Sequence, residues 1–334
     1  MNISSLGDLA RSFSMQSRTT EIKADIQRLT EELSTGQVAD VRSATSGKTA
    51  YVIDLESSLK KLDGYDLAVS EAGQFAEGLQ TVLTRIGDLT SSFRDTLITS
   101  NSSALDTASS TITRAANDTL EDVIGAMNTN YGGRTLLAGI ASDTQPIVSS
   151  DDILTALTAE ITGAGTVDDI ILAAENWFND PAGFVSIGYQ GSDTSLSPIA
   201  LSDSDNAVFD LRGDDPIFLD TLKNLALAAI ASDTGLGLSD AEQSELFEKT
   251  TNKVIAAQDA VIDAQTLIGF TESRIETISV RQSAERTSLQ IARNDILSSD
   301  PYVAATELEQ VQFQLQSLYT ITSRMSQLSL VNYL

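Results

Sequence analysis

Asp203, Asp205 and Asp210 are the residues of this chain whose type and spacing come closest to a metal site, because closely spaced carboxylates are the ligands of calcium loops. The stretch from Asp203 begins like an EF-hand loop. However, Val208 stands where that loop needs glycine, and Asp214 stands where it ends with glutamate. We interpret the segment as a solvated acidic loop and predict no metal site.

Other patterns could serve catalysis or phosphate binding. Adjacent carboxylates occur at 151–152, 168–169 and 214–215, and glycoside hydrolases use two carboxylic acids. Side chains of adjacent residues need not converge on one cleft, and aromatic residues make up only 5% of the chain. The glycines at 132, 133 and 139 are not followed by the lysine of a phosphate-binding loop, so we interpret them as turn residues. We therefore predict no catalytic residue, no cofactor and no enzymatic activity.

Residues 212–214 read Arg-Gly-Asp, which is the sequence of a short adhesion motif. A three-residue match arises often by chance. The Asp-Pro that follows at 215–216 predicts a turn leading into a helix. We assign the tripeptide no function.

The composition excludes several classes of protein. The chain of 334 residues contains neither cysteine nor histidine, which removes thiol nucleophiles, imidazole bases, disulfides and the usual zinc sites. Its net charge of −26 would repel a phosphate backbone, so we expect no nucleic-acid partner. The longest apolar runs, such as residues 225–231, are far too short for membrane insertion. The N-terminus lacks the basic start and apolar core of a signal peptide, which predicts either a cytosolic protein or export without a cleaved signal.

The negative charge is concentrated in the middle of the chain. Residues 142–250 hold 20 acidic and 3 basic side chains, a net charge of −17. Residues 301–334 contain only three charged side chains, Glu307, Glu309 and Arg324. We expect a soluble, outward-facing middle and nearly neutral, adhesive ends.

The two ends of the chain each predict a helix with one narrow apolar seam. Apolar residues alternate at spacings of three and four over residues 15–33 and again over residues 304–325, which is the coiled-coil pattern. Such a helix is marginal until its seam packs on a partner. The seams could close on each other within one chain, but we favour assembly with neighbouring copies. The predicted assembly interface consists of Ile22, Ile26, Leu29, Leu33, Leu308, Val311, Leu315, Leu318, Met325 and Leu328.

Proline positions divide the rest of the chain. All 5 prolines lie at 146, 181, 198, 216 and 301, so two long helical regions flank an irregular centre. The same three-four rhythm continues over residues 69–97 and 254–278, with breaks at 36–47, 128–139 and 231–239. In the centre we predict short helices over 153–160 and 168–178 and strands over 184–189 and 207–211.

These patterns predict a mainly α fold with long antiparallel coiled-coil helices from both termini and a small β-containing central insertion. We expect five segments: an N-terminal coiled-coil arm (1–40), a first half of a helical rod (41–141), a β-containing outer insertion (142–216), a second half of the rod (217–298) and a C-terminal coiled-coil arm (299–334).

Several segments resemble the bacterial flagellin family. The Leu-Ser-Thr-Gly at 33–36 is similar to the sequence that ends the family's first helix. The segment 130–139, Asn-Tyr-Gly-Gly-Arg-Thr-Leu-Leu-Ala-Gly, resembles the N-x-x-G-R-Y-L-F-x-G of the family's hook–filament junction proteins (hook-associated protein 3), although Thr135 and Leu137 replace Tyr and Phe. Residues 142–146, the Tyr-Gln-Gly at 189–191 and the ending Leu-Ser-Leu-Val-Asn-Tyr-Leu at 328–334 are also similar to that group. The family's usual R-I-N-x-A-x-D-D-P is replaced at 38–46.

The resemblance implies a structural subunit of the bacterial flagellum, namely the junction adaptor between hook and filament. It implies type III export without a cleaved signal peptide and an extracellular location. It also implies assembly with copies of itself, with a neighbouring hook-associated protein and with flagellin, and an export chaperone as a further partner. The alternatives are flagellin itself, a secreted enzyme with helical delivery ends, and a coiled-coil signalling or adhesion protein.

Overall fold

The computed structural model describes residues 3–41, 49–100, 105–233 and 235–331. Nine helices and two small β-hairpins make up this part of the chain. In chain order they are α1 (Ile3–Thr35), α2 (Thr49–Ser100), α3 (Leu105–Met127), β1 (Asn130–Tyr131), β2 (Arg134–Thr135), α4 (Ser150–Ile161), α5 (Val167–Asn179), α6 (Phe184–Ile187), β3 (Ile199–Ala200), β4 (Asn206–Ala207), α7 (Pro216–Ile230), α8 (Asp240–Leu297) and α9 (Pro301–Val331).

The helices begin and end where proline and glycine require it. Pro216 and Pro301 are the first residues of α7 and α9, the position at which proline's missing N–H costs nothing. Gly36, with φ of 68°, follows the end of α1. The predicted breaks at 128–139 and 231–239 are confirmed. Of the break at 36–47, residues 42–48 lie outside the described part of the chain.

The chain divides into two compact units. Unit 1 comprises residues 1–64 and 282–334, and unit 2 comprises residues 65–281. The long helices α2 and α8 contribute to both. In unit 1, α1 packs along α9.

Unit 2 contains the main hydrophobic core. All seam positions predicted on α2 from Val69 to Leu97 are buried, and on α8 every predicted position except the half-buried Thr271 is buried as well. Helix α7 is buried on nearly every side and packs chiefly on α3, with α4 and α5 beside it. Eleven of its fifteen residues are buried, so α7 lies in the interior of unit 2.

The two short helices predicted in the centre are confirmed as α4 and α5. Each begins at a hydroxyl N-cap, because Ser149 Oγ accepts from the Asp152 N–H and Thr166 Oγ1 accepts from the Asp169 N–H, both at 3.2 Å. Aspartates in both first turns complement the positive end of the helix dipole.

The two strands predicted in the centre are largely wrong. Residues 184–187 form the short helix α6, because the Phe184 ring stacks on Phe178 at 4.9 Å and meets the edge of Trp177 at 5.9 Å. This aromatic packing overrides the alternating pattern. Of the strand predicted over 207–211, only Ala207 pairs, as the end of β4.

The hairpin β1–β2 was not predicted as strands. Its two-residue turn is Gly132-Gly133, with φ of 61° and 87°, which is the backbone that favours glycine pairs in tight hairpins. Arg134 in β2 is anchored by an ion pair with Glu71 of α2 at 2.6 Å. This hairpin lies before the segment 142–216 that was expected to hold the β structure, whereas β3–β4 lies within it.

Candidate assembly interface

The α1 half of the predicted interface faces α9 only in part. Ile22 and Leu29 are buried, Ile26 is half-buried and Leu33 is 42% exposed. In the last turn of α1, Glu32 is buried in place of Leu33. The α1 seam is therefore closed within the chain at its centre and open at its end.

The α9 half is more open. Leu308, Val311, Leu315 and Leu318 are half-buried, and Met325 is 38% exposed. The Leu328 side chain lies outside the described residues. Ala304, at the start of the same seam, is buried. The structure thus brings the two terminal helices together but leaves much of the α9 seam only partly covered.

Backbone hydrogen bonds join the segment after α1 to the end of α8 and the connection between α8 and α9. The Val38 N–H donates to the Leu297 carbonyl at 2.9 Å, and the Ser299 N–H donates to the Gly36 carbonyl at 3.0 Å. Asp300 caps α9, since its Oδ1 accepts from the Tyr302 N–H at 2.9 Å. These contacts fix where the two helices begin their pairing.

Glu32 organises this junction, and the sequence reasoning missed it. Its carboxylate is buried and accepts from Arg28 at 3.0 Å, from the Ala39 N–H at 3.2 Å and from Ser299 Oγ at 3.5 Å. Burial alone would lower the pKa of Arg28, but the hydrogen bond to Glu32 and the nearby carboxylates, among them Glu307 of α9, raise it. The four-residue spacing of Arg28 and Glu32 is the one sequence signal that could have indicated this pair.

A second set of apolar side chains on the terminal helices is largely exposed in the part of the chain that the structure describes. Tyr302 is 80% exposed and Phe313 is 68% exposed. They are eleven residues apart, about three helical turns, and so lie on one side of α9, roughly opposite Val311. Phe13 of α1 is 74% exposed. After α1 and α9 have paired, both still present large apolar groups to solvent.

The acidic loop considered as a calcium site is tied to arginines. Asp205 accepts from Arg281 at 2.6 Å and from Arg274 at 3.2 Å, and Ser202 Oγ donates to the same carboxylate at 2.8 Å. These three hydrogen bonds hold the pKa of Asp205 well below its usual range. Tyr65 donates to Asp203 at 2.8 Å. The β3–β4 hairpin is thereby fastened to α2 and α8, and the described residues contain no group of three or more His, Cys, Asp or Glu side chains placed to hold a metal ion.

The two charged side chains of the Arg-Gly-Asp tripeptide form an ion pair with each other. The Arg212 guanidinium donates two hydrogen bonds to Asp214, at 2.8 and 3.0 Å, and a third to the Asp193 carbonyl. Asp215 accepts from the Arg212 N–H at 2.7 Å, and burial raises its pKa. Burial also raises the pKa of Tyr189, which lies beside this network. These contacts stabilise the start of α7, as the predicted turn requires.

Both ends of the chain match family models. The model of the bacterial flagellin N-terminal helical region matches residues 8–142, and the model of the C-terminal helical region matches residues 251–334. Together they cover more than half of the chain and include both paired terminal helices.

The chain belongs to the bacterial flagellin family.

Solved structures share the fold of this flagellin-family chain. One is a protein from Vibrio parahaemolyticus assigned as a flagellar hook-associated protein, with 12% identity, a TM-score of 0.51, and coverage of 74% of this chain and 96% of that chain. Another is FlgL from Bacillus cereus, with 13% identity, a TM-score of 0.52, and coverage of 73% and 99%. At such identities the likeness establishes the fold. A search of curated protein sequences gave no match.

None of the helices in the described part of this flagellin-family chain combines the length and apolar character needed to cross a bilayer.

Proposed function

We propose that this chain is a structural subunit of the bacterial flagellum and serves as the junction adaptor between hook and filament. The observation that carries the proposal is the apolar surface left on α1 and α9 after they pair, including Phe13, Tyr302 and Phe313. Burying such side chains contributes roughly 1.5–3 kcal/mol each, so contact with neighbouring subunits is strongly favoured.

The adaptor role within the family is supported by the segment 130–139. It forms the β1–β2 hairpin and the buried turn after it, and its sequence resembles the corresponding segment of hook–filament junction proteins. The likeness of the fold to a hook-associated protein and to FlgL points the same way. We expect neighbouring copies, a hook-associated protein and flagellin as partners, with an export chaperone before assembly. The division into arms, rod and outer insertion remains part of this proposal.

Flagellin itself is the second candidate, because the family models fit a filament subunit equally well. Deleting the gene and imaging the cells separates the two. An adaptor's loss leaves intact hooks and releases unattached flagellin into the medium. If the deletion instead removes the filament protein itself, this chain is flagellin. Seeding adds a second criterion, since purified flagellin extends into long filaments and an adaptor stops at short assemblies.

The interface is tested by Leu315→Asp. Leu315 is half-buried on the seam of α9, where a charge opposes both intrachain pairing and contact with neighbours. We expect unit 2 to stay folded by circular dichroism, while the variant no longer enters flagella. Gln312→Asp places the same charge on an exposed position of the same helix and should assemble. Normal motility of the Leu315 variant would contradict the role of the seam.

A further inference from the structure

The β3–β4 hairpin and the two residues that follow it form a strap (residues 199–209) that is attached to both α2 and α8. Its attachment to α2 is mainly aromatic. The Phe209 side chain is only 3% exposed, and its ring centroid lies 4.9 Å from that of Phe75. Tyr65 adds a hydrogen bond, which it donates to Asp203 at 2.8 Å. The α2 attachment therefore rests largely on buried apolar surface.

The attachment of the strap to α8 is ionic. Arg274 and Arg281 donate to different oxygens of the Asp205 carboxylate, at 3.2 and 2.6 Å. The two arginines are seven residues apart, about two helical turns, and so lie on the same side of α8. Their side chains are 57% and 58% exposed. Ion pairs in contact with water to this extent are weakened by dissolved salt.

Unfilled space lies between the strap and α8. A cleft of about 340 Å³ separates Val208 of the strap from Ala264 and Ile268 of α8. A second cavity, of about 120 Å³, has Ala207 on one side and Ile275 on the other. Atoms that line such spaces lack neighbours on one side and so lose part of their dispersion attraction. The arginines of α8 are therefore the main support of the strap on this helix.

The tip of the strap is held together by its own hydrogen bonds. Ser202 Oγ accepts from the N–H groups of Ser204 and Asp205, at 3.2 and 3.0 Å. The Asp205 carbonyl accepts from the N–H groups of Leu201 and Ser202, at 2.8 and 3.1 Å. Because these bonds lie within the tip, they do not depend on α8. The strap can therefore leave α8 without losing its own local structure.

We propose that the strap opens locally, staying attached to α2 and releasing from α8 while the rest of unit 2 remains folded. Proteins open in local units whose free energy of opening is lower than that of global unfolding, and segments with few buried contacts open first. Opening removes the carboxylate partner of Arg274 and Arg281 and uncovers Ala207, so it changes the surface that α8 presents to solvent. The inference goes beyond the proposed function and holds equally for an adaptor and for flagellin.

Labelling of an introduced thiol with iodoacetamide measures the opening, because the full chain has no cysteine of its own. Ala207 is 3% exposed and lines the cavity of about 120 Å³, so Ala207→Cys has room for the sulfur. Ala226→Cys places the thiol in the fully buried α7, where only global unfolding exposes it. We expect Ala207→Cys to react at least about a hundredfold faster than Ala226→Cys. Equal rates at the two positions would overturn the proposal.

A second substitution tests whether the arginines hold the strap on α8. When the strap recloses faster than the reagent reacts, the labelling rate is proportional to the open fraction. We expect Asp205→Asn to raise the rate of the Ala207→Cys chain by at least about tenfold, a change of about 1.4 kcal/mol in the free energy of opening. Asp210→Asn removes the same charge at an exposed position just after the strap and should leave the rate unchanged. Equal rates with Asp205→Asn and Asp210→Asn would refute the role of the arginine contacts.

Salt provides an independent test on the same chains. Raising the sodium chloride concentration from about 0.1 M to about 1 M shortens the screening length from about 10 Å to about 3 Å. We expect this change to accelerate labelling of the Ala207→Cys chain, because it weakens the pairs of Asp205 with Arg274 and Arg281. The chain that also carries Asp205→Asn lacks these pairs and should respond less. Equal acceleration of both chains would contradict an ionic attachment to α8.

Discussion

Single residues in unit 2 are held under tight steric control, and Gly139 is the clearest case. Its φ is 60°, and a Cβ there would lie 2.4 Å from the Thr194 carbonyl oxygen. We expect Gly139→Ala to lower the free energy of unfolding by at least about 2 kcal/mol. Gly125→Ala should instead raise the free energy of unfolding by about 0.5–1 kcal/mol, because alanine has a higher helix propensity than glycine. The added Cβ would meet no atom within 4 Å. Denaturant unfolding of both variants measures the difference, and equal stability would contradict the assignment.

Asp205 gives unit 2 a pH dependence whose sign is fixed by its arginines. The hydrogen bonds from Arg281, Ser202 and Arg274 hold its pKa in the folded state below the ordinary value of 3.8. A lowered folded pKa means that the stabilisation is complete above about pH 4 and is lost as the pH falls further. We expect Asp205→Asn to remove this contribution. Its unfolding free energy should therefore change less than that of the wild type between pH 5 and low pH. An identical pH profile in both proteins would show that the hydrogen bonds of Asp205 contribute nothing to stability.

The roles of Glu32 and Asp205 could not be predicted from the sequence, and the reason is the same for both. Glu32 and Asp205 are common surface residue types, and their partners Ser299, Arg274 and Arg281 are distant in the chain. No local pattern encodes such a meeting. By contrast, the helix predicted after residues 212–214 rests on the adjacent Asp215-Pro216, which the sequence shows directly, and α7 begins at Pro216.

At the level of elements, α1 offers a matched pair of leucines in one turn. Leu29 is buried and Leu33 is exposed. We expect Leu29→Ala to cost about 2–5 kcal/mol within unit 1 and to weaken the α1–α9 pairing. Leu33→Ala should change stability by no more than about 0.5 kcal/mol. Amide exchange of α1 reports both effects. Equal protection in the two variants would mean that α9 is not the partner of Leu29.

The long helices were predictable and the short elements were not. A seam repeated over many turns, in stretches of the chain that contain no proline, determines α2 and α8 from local spacing alone. The helix α6 has four residues, and it exists because Phe184 meets Phe178 and Trp177. The hairpin β1–β2 has two residues per strand and depends on Gly132 and Gly133. Tertiary contacts determine whether such short segments form helix or strand. An alternating apolar pattern is therefore a poor predictor of their secondary structure.

For the whole molecule, the distribution of the core predicts which part folds alone. The residues of the main hydrophobic cluster run from Val69 to Ile278, entirely within unit 2. We expect the fragment 65–281 to unfold cooperatively with a melting temperature close to that of the corresponding transition in the full chain. Calorimetry and circular dichroism measure this. A fragment without a cooperative transition would show that the terminal helices are needed for the fold of unit 2.

The closed Arg-Gly-Asp tripeptide has a consequence for attachment assays. A receptor that reads this motif must find a cation and an anion projecting separately, yet Arg212 and Asp214 neutralise each other and are only 22% and 10% exposed. A sequence search for the Arg-Gly-Asp motif alone would classify this chain as cell-adhesive. An immobilised sample should hold no more cells than its Asp214→Glu counterpart.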